Sequence, residues 1–254
     1  MNTTNHFFEL LWAMTEKELR ARYKYTVFGF LWLVANPILQ MLVIGFVFTF
    51  FMKAPLDHYY YYLFVGLLIW NFFSLSLSKA TPSIVFERSL VKKASFPRAI
   101  IPLSIVASNA FHFIIAFLLY LVPLAFIGTF SLYRIPHLIL GLVLLGVFTV
   151  GISLLTSALN VRFRDVNFFV QAILTIWFYA TPIMYSLTQI PPRLLWLWRF
   201  NPLTAILQLI QYALLDTPGP GIGMLISNVT VIIILVFVGV KTFEKENKTF
   251  DDWL

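Results

Sequence analysis

Apolar runs about as long as a bilayer is thick recur along almost the whole chain, and they constrain its fold more than any motif does. A transmembrane helix needs roughly 20 apolar residues. Runs near that length lie at about 30–52, 59–78, 100–127, 136–159, 166–185 and 224–243. With 60% hydrophobic and only 11% charged residues, no stretch remains for a sizeable soluble domain. The sequence therefore reads as an all-α polytopic membrane protein with six transmembrane helices. The runs divide it into an N-terminal segment (1–28), a membrane domain (29–243) and a short tail (244–254).

The charges orient those spans. The formal charge of +7 does not point to nucleic acid, because the basic residues sit in short loops beside the apolar runs. Lys17, Arg20, Arg22 and Lys24 precede the first run, and no charge follows until Lys53. Six spans place these four with Lys79, Arg88, Lys92, Lys93, Arg98, Arg162, Arg164, Lys241, Lys245 and Lys248 on one side. Only Lys53, Arg134, Arg193 and Arg199 fall on the other. A seventh span at 194–215 would send the tail lysines across, so the positive-inside bias favours six, with both termini cytoplasmic. The basic cluster comes too late, and the run after it is too long, for a cleavable signal peptide. The chain has no cysteine, hence neither disulfides nor cysteine-bound metal.

Residues 7–24 alternate at helical period. Phe8, Leu11, Trp12, Thr15, Leu19 and Tyr23 share one face, and Glu9, Glu16, Lys17, Arg20 and Lys24 the other. That pattern suits an amphipathic helix lying in the membrane interface; a surface helix packed on the protein is the alternative. The loop at 79–98 is the most charged internal one, with Pro82 placed to open a short helix and Pro97 to close it. Prolines at 191, 192, 202, 218 and 220 cut the region after span five into short helices. One of them, 203–215, is too short to span and reads as re-entrant or interfacial, with Asn201 as its N-cap.

Little in the sequence supports chemistry inside the membrane. None of the eleven acidic residues falls within a span. Of four histidines only His112 looks intramembrane, on a Ser104–Ser108–His112 stripe typical of helix packing. Zinc-protease, serine-hydrolase and phosphate-loop signatures are all missing. A membrane-embedded glycan or lipid transferase is thereby disfavoured, and any ATP-driven work falls to a separate chain. Two patterns point instead to a conduit. Neutral polar residues recur at helical spacing in Asn71–Ser74–Ser78 and Thr149–Ser153–Thr156–Asn160, which also suits helix–helix bonding. Aromatics make up 18% of the chain. Tyr59 and Tyr62, with Trp177, Phe178, Thr181 and Tyr185, are the candidate channel lining: aromatic faces stack on sugar rings, although an interfacial belt gives the same pattern. Helical period puts Leu174, Trp177, Phe178, Thr181 and Tyr185 on one side of span five.

Five motifs in order carry a family resemblance. They are Arg22-Tyr23-Lys24-x-Thr26-x-x-Gly29-x-Leu31-Trp32 with Pro37; Leu90-x-Lys92-Lys93-x-x-Phe96-Pro97 with Pro102; Asn160-x-Arg162-x-Arg164-Asp165; Thr181-Pro182-Ile183-x-Tyr185; and Asn201-Pro202. Together they resemble the permease subunits of type-2 ABC exporters for O-antigen, capsule and teichoic-acid polysaccharides, most closely the O-antigen ones. The resemblance implies a homodimer of six-span subunits in a bacterial inner membrane, docked to two ABC ATPase subunits that hold the ATP and Mg, with no cofactor in this chain. It implies a coupling helix at about 84–95, where Glu87, Arg88, Lys92 and Lys93 meet the ATPase, and outer gate helices at about 190–215. The implied substrate is a polysaccharide on a polyprenyl diphosphate. Arg20, Arg22 and Lys24 are placed to attract that diphosphate at the inner leaflet, and membrane orientation alone explains the same charges. An exporter of a smaller substrate, drug or lipid, is the other reading within transporters.

Overall fold

Helices carry the fold from end to end. The computed structural model describes residues 3–24, 31–51, 58–93, 96–129 and 131–254. Motif positions Thr26 and Gly29, the end of the first apolar run at Met52, Lys53, and Ser95 lie outside the described residues. The helices are α1 (Thr3–Tyr23), α2 (Trp32–Phe50), α3 (Tyr59–Phe86), α4 (Arg88–Lys93), α5 (Ile100–Leu124) and α6 (Ile135–Arg162). They continue with α7 (Asp165–Ala180), α8 (Leu195–Trp198), α9 (Pro202–Leu215), α10 (Ile222–Glu246) and α11 (Phe250–Trp253). No strand occurs among the described residues. Among the described residues four stretches are long and apolar enough to cross a bilayer: Tyr59–Phe86, Ile100–Leu124, Leu132–Arg162 and Ile222–Trp253. Shorter apolar helices lie at Val34–Phe50, Asp165–Ala180 and Pro202–Leu215. The protein is an all-α polytopic membrane protein.

Two boundaries differ from the sequence expectation, both at prolines. Pro82 does not open a helix; it lies inside α3, which runs on to Phe86. Ala80, Thr81, Ser83 and Ile84 are buried around it, and the Thr81 and Ser83 hydroxyls bond to the Leu77 and Ala80 carbonyls. Packing on both flanks thus holds the helix through the one hydrogen bond that proline removes. The break comes at Glu87, whose φ of −90° and ψ of 23° leave the helix before α4 begins. Conversely, α7 ends at Ala180 rather than near 185. Thr181 precedes Pro182, is pushed out of the helical region and is extended, with ψ at 136°. Tyr185 is therefore not on the helical face of Trp177 and Phe178.

Helix α3 lies at the centre, packed against α2, α5, α6, α7 and α9. In its core Phe73 stacks on Phe148 of α6 with ring centroids 5.3 Å apart, and Trp177 of α7 stands edge-on to both. Such aromatic pairs add about 0.5–1.5 kcal/mol each beyond the area they bury. The polar stripe of α6 is buried, and the Thr156 hydroxyl meets that of Thr81 on α3 at 2.9 Å, so that stripe joins helices. A second apolar cluster closes the end of the bundle carrying α1. There Met14, Ile84, Val91 and Ile100 meet Leu154, Phe243, Phe250 and Leu254. Arg98 ties α11 to this end, bonding to the Asn247 carbonyl at 3.0 Å and to the Asp251 carboxylate at 2.6 Å. At the opposite end, α9 is buried along nearly its whole length, capped by Asn201 and opened by Pro202 as its sequence predicts.

Candidate functional site

A polar groove of about 500 Å³ opens on one flank of the bundle, between α2, α3 and α7. Its walls carry Gln40, Asn71, Ser74, Ser78, Gln171 and Thr175, with Trp70, Phe178 and Tyr179 among them. The amides and hydroxyls follow from helical spacing. Asn71, Ser74 and Ser78 repeat along α3, and Gln171 and Thr175 lie one turn apart on α7. Asn71 donates to Gln40 at 3.2 Å, and Gln171 donates to Ser78 at 2.6 Å. Uncharged hydrogen-bonding groups beside aromatic faces give the groove polar partners without the cost of a buried ion. The groove is open on its outer side: Gln171, Thr175 and Tyr179 are exposed, as are Phe168, Phe169 and Ile176 on α7.

The six aromatic and hydroxyl residues singled out in the sequence divide among this groove, the aromatic core where Trp177 packs, and a pinned loop beside them. Phe178 lines the groove. Tyr59 and Tyr62 are buried and donate to backbone carbonyls of the segment after α7. Tyr59 bonds to Met184 at 2.9 Å, and Tyr62 to Pro182 at 3.1 Å and Tyr185 at 3.0 Å. Tyr185, half-buried, turns its hydroxyl back to the Tyr179 carbonyl at 3.0 Å. Thr181 is fully buried, donating to the Trp177 carbonyl at 2.7 Å and accepting from Asn201 at 3.1 Å. Asn201 also accepts from the Trp177 indole at 2.9 Å. The tyrosines thus satisfy carbonyls that a broken helix leaves bare. Sequence reasoning missed Gln40, Trp70, Gln171, Thr175 and Tyr179. The i, i+4 repeat Asn167–Gln171–Thr175 was the signal for α7, obscured by the aromatics between its members.

At the α1 end, the basic residues separate onto two faces. Arg22 points inward and donates to Asn109 of α5 at 2.6 Å, with His112 Nδ1 at 2.7 Å. His112 is a helix-packing partner, as its stripe suggests. Arg20 pairs with Glu16, bonding through Nε at 3.0 Å, and shares a shallow surface groove with Lys17 and Lys24. Lys17 reaches Glu87 at 2.5 Å, so α1 touches the hinge between α3 and α4. Helix α4 buries only Val91 and leaves Arg88, Lys92 and Lys93 less covered beside Phe86, which is 78% exposed. An exposed aromatic at the end of α3 thus stands beside three cations on the short helix α4.

Among the described residues no cluster of His, Asp and Glu is arranged to hold a metal. Residues 9–215 match the model of the ABC-2 type transporter family. The chain belongs to the ABC-2 type transporter family. A protein of Klebsiella pneumoniae named O-antigen export system permease protein RfbA is 35% identical over 209 residues, covering 80% of this chain and 78% of the relative. A second Klebsiella pneumoniae protein of that name is 36% identical over 206 residues, with the same coverage. One of that name from Myxococcus xanthus is 31% identical over 244 residues, covering 95% and 94%. As an ABC-2 family permease, the chain is the membrane subunit of a type-2 ABC exporter, a transport component rather than an enzyme, and works with an ATPase partner.

Proposed function

We propose that this ABC-2 permease moves a polysaccharide on a polyprenyl-diphosphate carrier from the cytoplasm across a bacterial inner membrane, driven by ATP hydrolysis on its partner subunits. The observation that carries this reading is the half-open groove between α2, α3 and α7. Its amides and hydroxyls match sugar hydroxyls, and Trp70, Phe178 and Tyr179 match the apolar faces of sugar rings. Two copies face each other across that open side, so that each supplies half of the path. The apolar faces of α2 (Leu39, Leu42, Val43, Phe46) and α7 (Phe168, Phe169, Ile176) are exposed beside the groove and supply the contact. The names of the relatives support an O-antigen-like glycan as the cargo.

Both termini lie on the cytoplasmic side, where the positive-inside bias puts α1 and α4. Phe8 and Trp12, exposed on α1, rest in the lipid interface. Arg20 and Lys24, one turn apart on the outward face, meet the carrier diphosphate, while Arg22 anchors α1 to α5. The segment at 84–95 couples to the ATPase, with Arg88, Lys92 and Lys93 bonding across the interface and Glu87 held by Lys17. ATP and Mg²⁺ reside in that subunit, whose stroke moves α4 and opens the path.

Reconstitution with the cognate ATPase in vesicles tests the reading. Lipid-linked glycan placed in the outer leaflet of inside-out vesicles becomes shielded from an added glycosidase only when ATP is present. In the Lys92→Glu/Lys93→Glu variant, glycan transfer and co-purification of the ATPase both drop roughly tenfold or more, since charge reversal places like charges across a polar contact. ATP-driven movement of a drug or a simple lipid, with the glycan left exposed, would overturn the polysaccharide assignment in favour of a smaller cargo.

A further inference from the structure

Arg134 is the one buried arginine among the described residues, and it lies at the end of the bundle opposite α4. It precedes α6 and faces the C-terminal end of α9. Its guanidinium lies between two rings, 4.7 Å from the centroid of Tyr212 and 5.0 Å from that of Tyr133. Nε donates to the Tyr133 hydroxyl at 2.7 Å, one terminal nitrogen to the Tyr212 carbonyl at 3.3 Å, and the other pairs with the Asp216 carboxylate. His137 meets Tyr212 edge-on at 5.1 Å, and Thr129 donates to the Leu214 carbonyl at 2.7 Å. Two carbonyls and a carboxylate at the end of α9 are therefore held by the segment that leads into α6. Asp216 itself is left-handed, with φ at 57°, which a residue other than glycine adopts at a cost.

The opposite end of α9 begins at Asn201, whose amide holds Trp177 and Thr181 where α7 breaks beside the groove. Helix α9 packs along α6 and against α10, and its two ends are pinned separately, one by the segment that leads into α6 and the other to α7. We infer that Arg134 is a positioning residue for the conduit: with Asp216 it latches the end of α9, and so sets where Asn201 holds the groove-facing end of α7. Both ends belong to one rigid helix of about 20 Å, at 1.5 Å per residue. In this proposal, release at Asp216 loosens the seating of α9 and is felt at Asn201 through that helix. The inference rests on the exporter reading for its purpose and on the geometry alone for the latch.

The chain has no cysteine, so a single introduced one reports without background. Thr204→Cys is nearly isosteric and fully buried near the Asn201 end of α9, twelve residues from Asp216. In the assembled transporter, Asp216→Asn removes the charge but keeps a residue type that tolerates the left-handed backbone. With that change the thiol introduced by Thr204→Cys is expected to react with a membrane-impermeant maleimide about tenfold faster, a factor typical of broken contact pairs. Arg134→Lys retains charge and should restore slow labelling, Arg134→Gln should match Asp216→Asn, and the double variant Arg134→Gln/Asp216→Asn should be no faster than either. Unchanged labelling in Asp216→Asn, whatever the thermal unfolding midpoint does, would overturn the latch. So would fast labelling in Arg134→Lys equal to that in Arg134→Gln. Labelling needs no glycan, so a failed latch is distinguishable from a failed export assignment.

Discussion

Tryptophan placed at Gln171 or at Thr175 is expected to stop export while leaving the subunit folded and bound to its ATPase. Both positions are exposed on the groove side of α7, so added bulk meets open space rather than a packed core. A substitution at such a site changes stability by only about 0.5 kcal/mol. The Gln171 bond to Ser78 is lost in one variant and kept in the other, which separates that bond from the effect of bulk. A tryptophan side chain presents about 150–250 Å² of surface. In the proposed homodimer, whose two copies line the path together, it appears twice. Transfer of glycan into vesicles should fall close to the ATP-free background, because pore diameter limits what passes. The control is Ile233→Trp on α10, which is also exposed but lies away from the groove. Transport there should match the unmodified chain.

Gly239→Leu is expected to prevent stable assembly altogether. Helix α10 buries only Asn228, Ile232, Gly239 and Phe243, so it is held to the bundle along one narrow seam. At Gly239 an added Cβ would collide with the carbonyl oxygen of Gly151 on α6, a backbone atom that no side-chain rotation can move. At Gly151 an added Cβ would lie 2.6 Å from a Val236 methyl and 2.8 Å from the Val236 Cα. The two glycines let the helices touch backbone to backbone, which is how helices associate where lipid replaces water and hydrophobic burial gives no drive. Gly239→Ala alone should cost about 1–3 kcal/mol through overpacking. Gly239→Leu forces α10 off α6 and should give little monodisperse protein on size-exclusion chromatography. Gly223→Leu, where an added Cβ meets open space, serves as the comparison and should purify normally.

The sequence made the helical class and most helix positions readable, because apolar length and proline punctuation are local signals. Asn201 and Pro202 open α9 in both readings for that reason. Boundaries set by packing were not readable. Burial of Ala80, Thr81 and Ile84 carries α3 through Pro82, and nothing in 79–98 announces those neighbours. Of the six candidate lining residues, one was legible as a groove residue. Phe178 and the stripe Asn71–Ser74–Ser78 do reach the groove. Tyr59, Tyr62 and Thr181 turn away from it, because the carbonyls freed after Ala180 compete for their hydroxyls, and that break lies more than a hundred residues from the tyrosines. The basic cluster behaved similarly. Helical spacing separates Arg22 from Arg20 and Lys24, but only the polar pair Asn109 and His112 on α5 explains why Arg22 faces inward.

In the proposed mechanism the polar groove between α2, α3 and α7 is the path of the glycan. A photo-reactive side chain incorporated at Gln171, and separately at Ile233, tests it directly. The transporter is held mid-cycle with an ATPase variant that binds ATP without hydrolysing it, and is illuminated in the presence of radiolabelled lipid-linked glycan. Label joined to the chain at position 171, and not at position 233, is the predicted result. Label at 233 alone, or none at 171 while the same preparation exports glycan, would contradict the account.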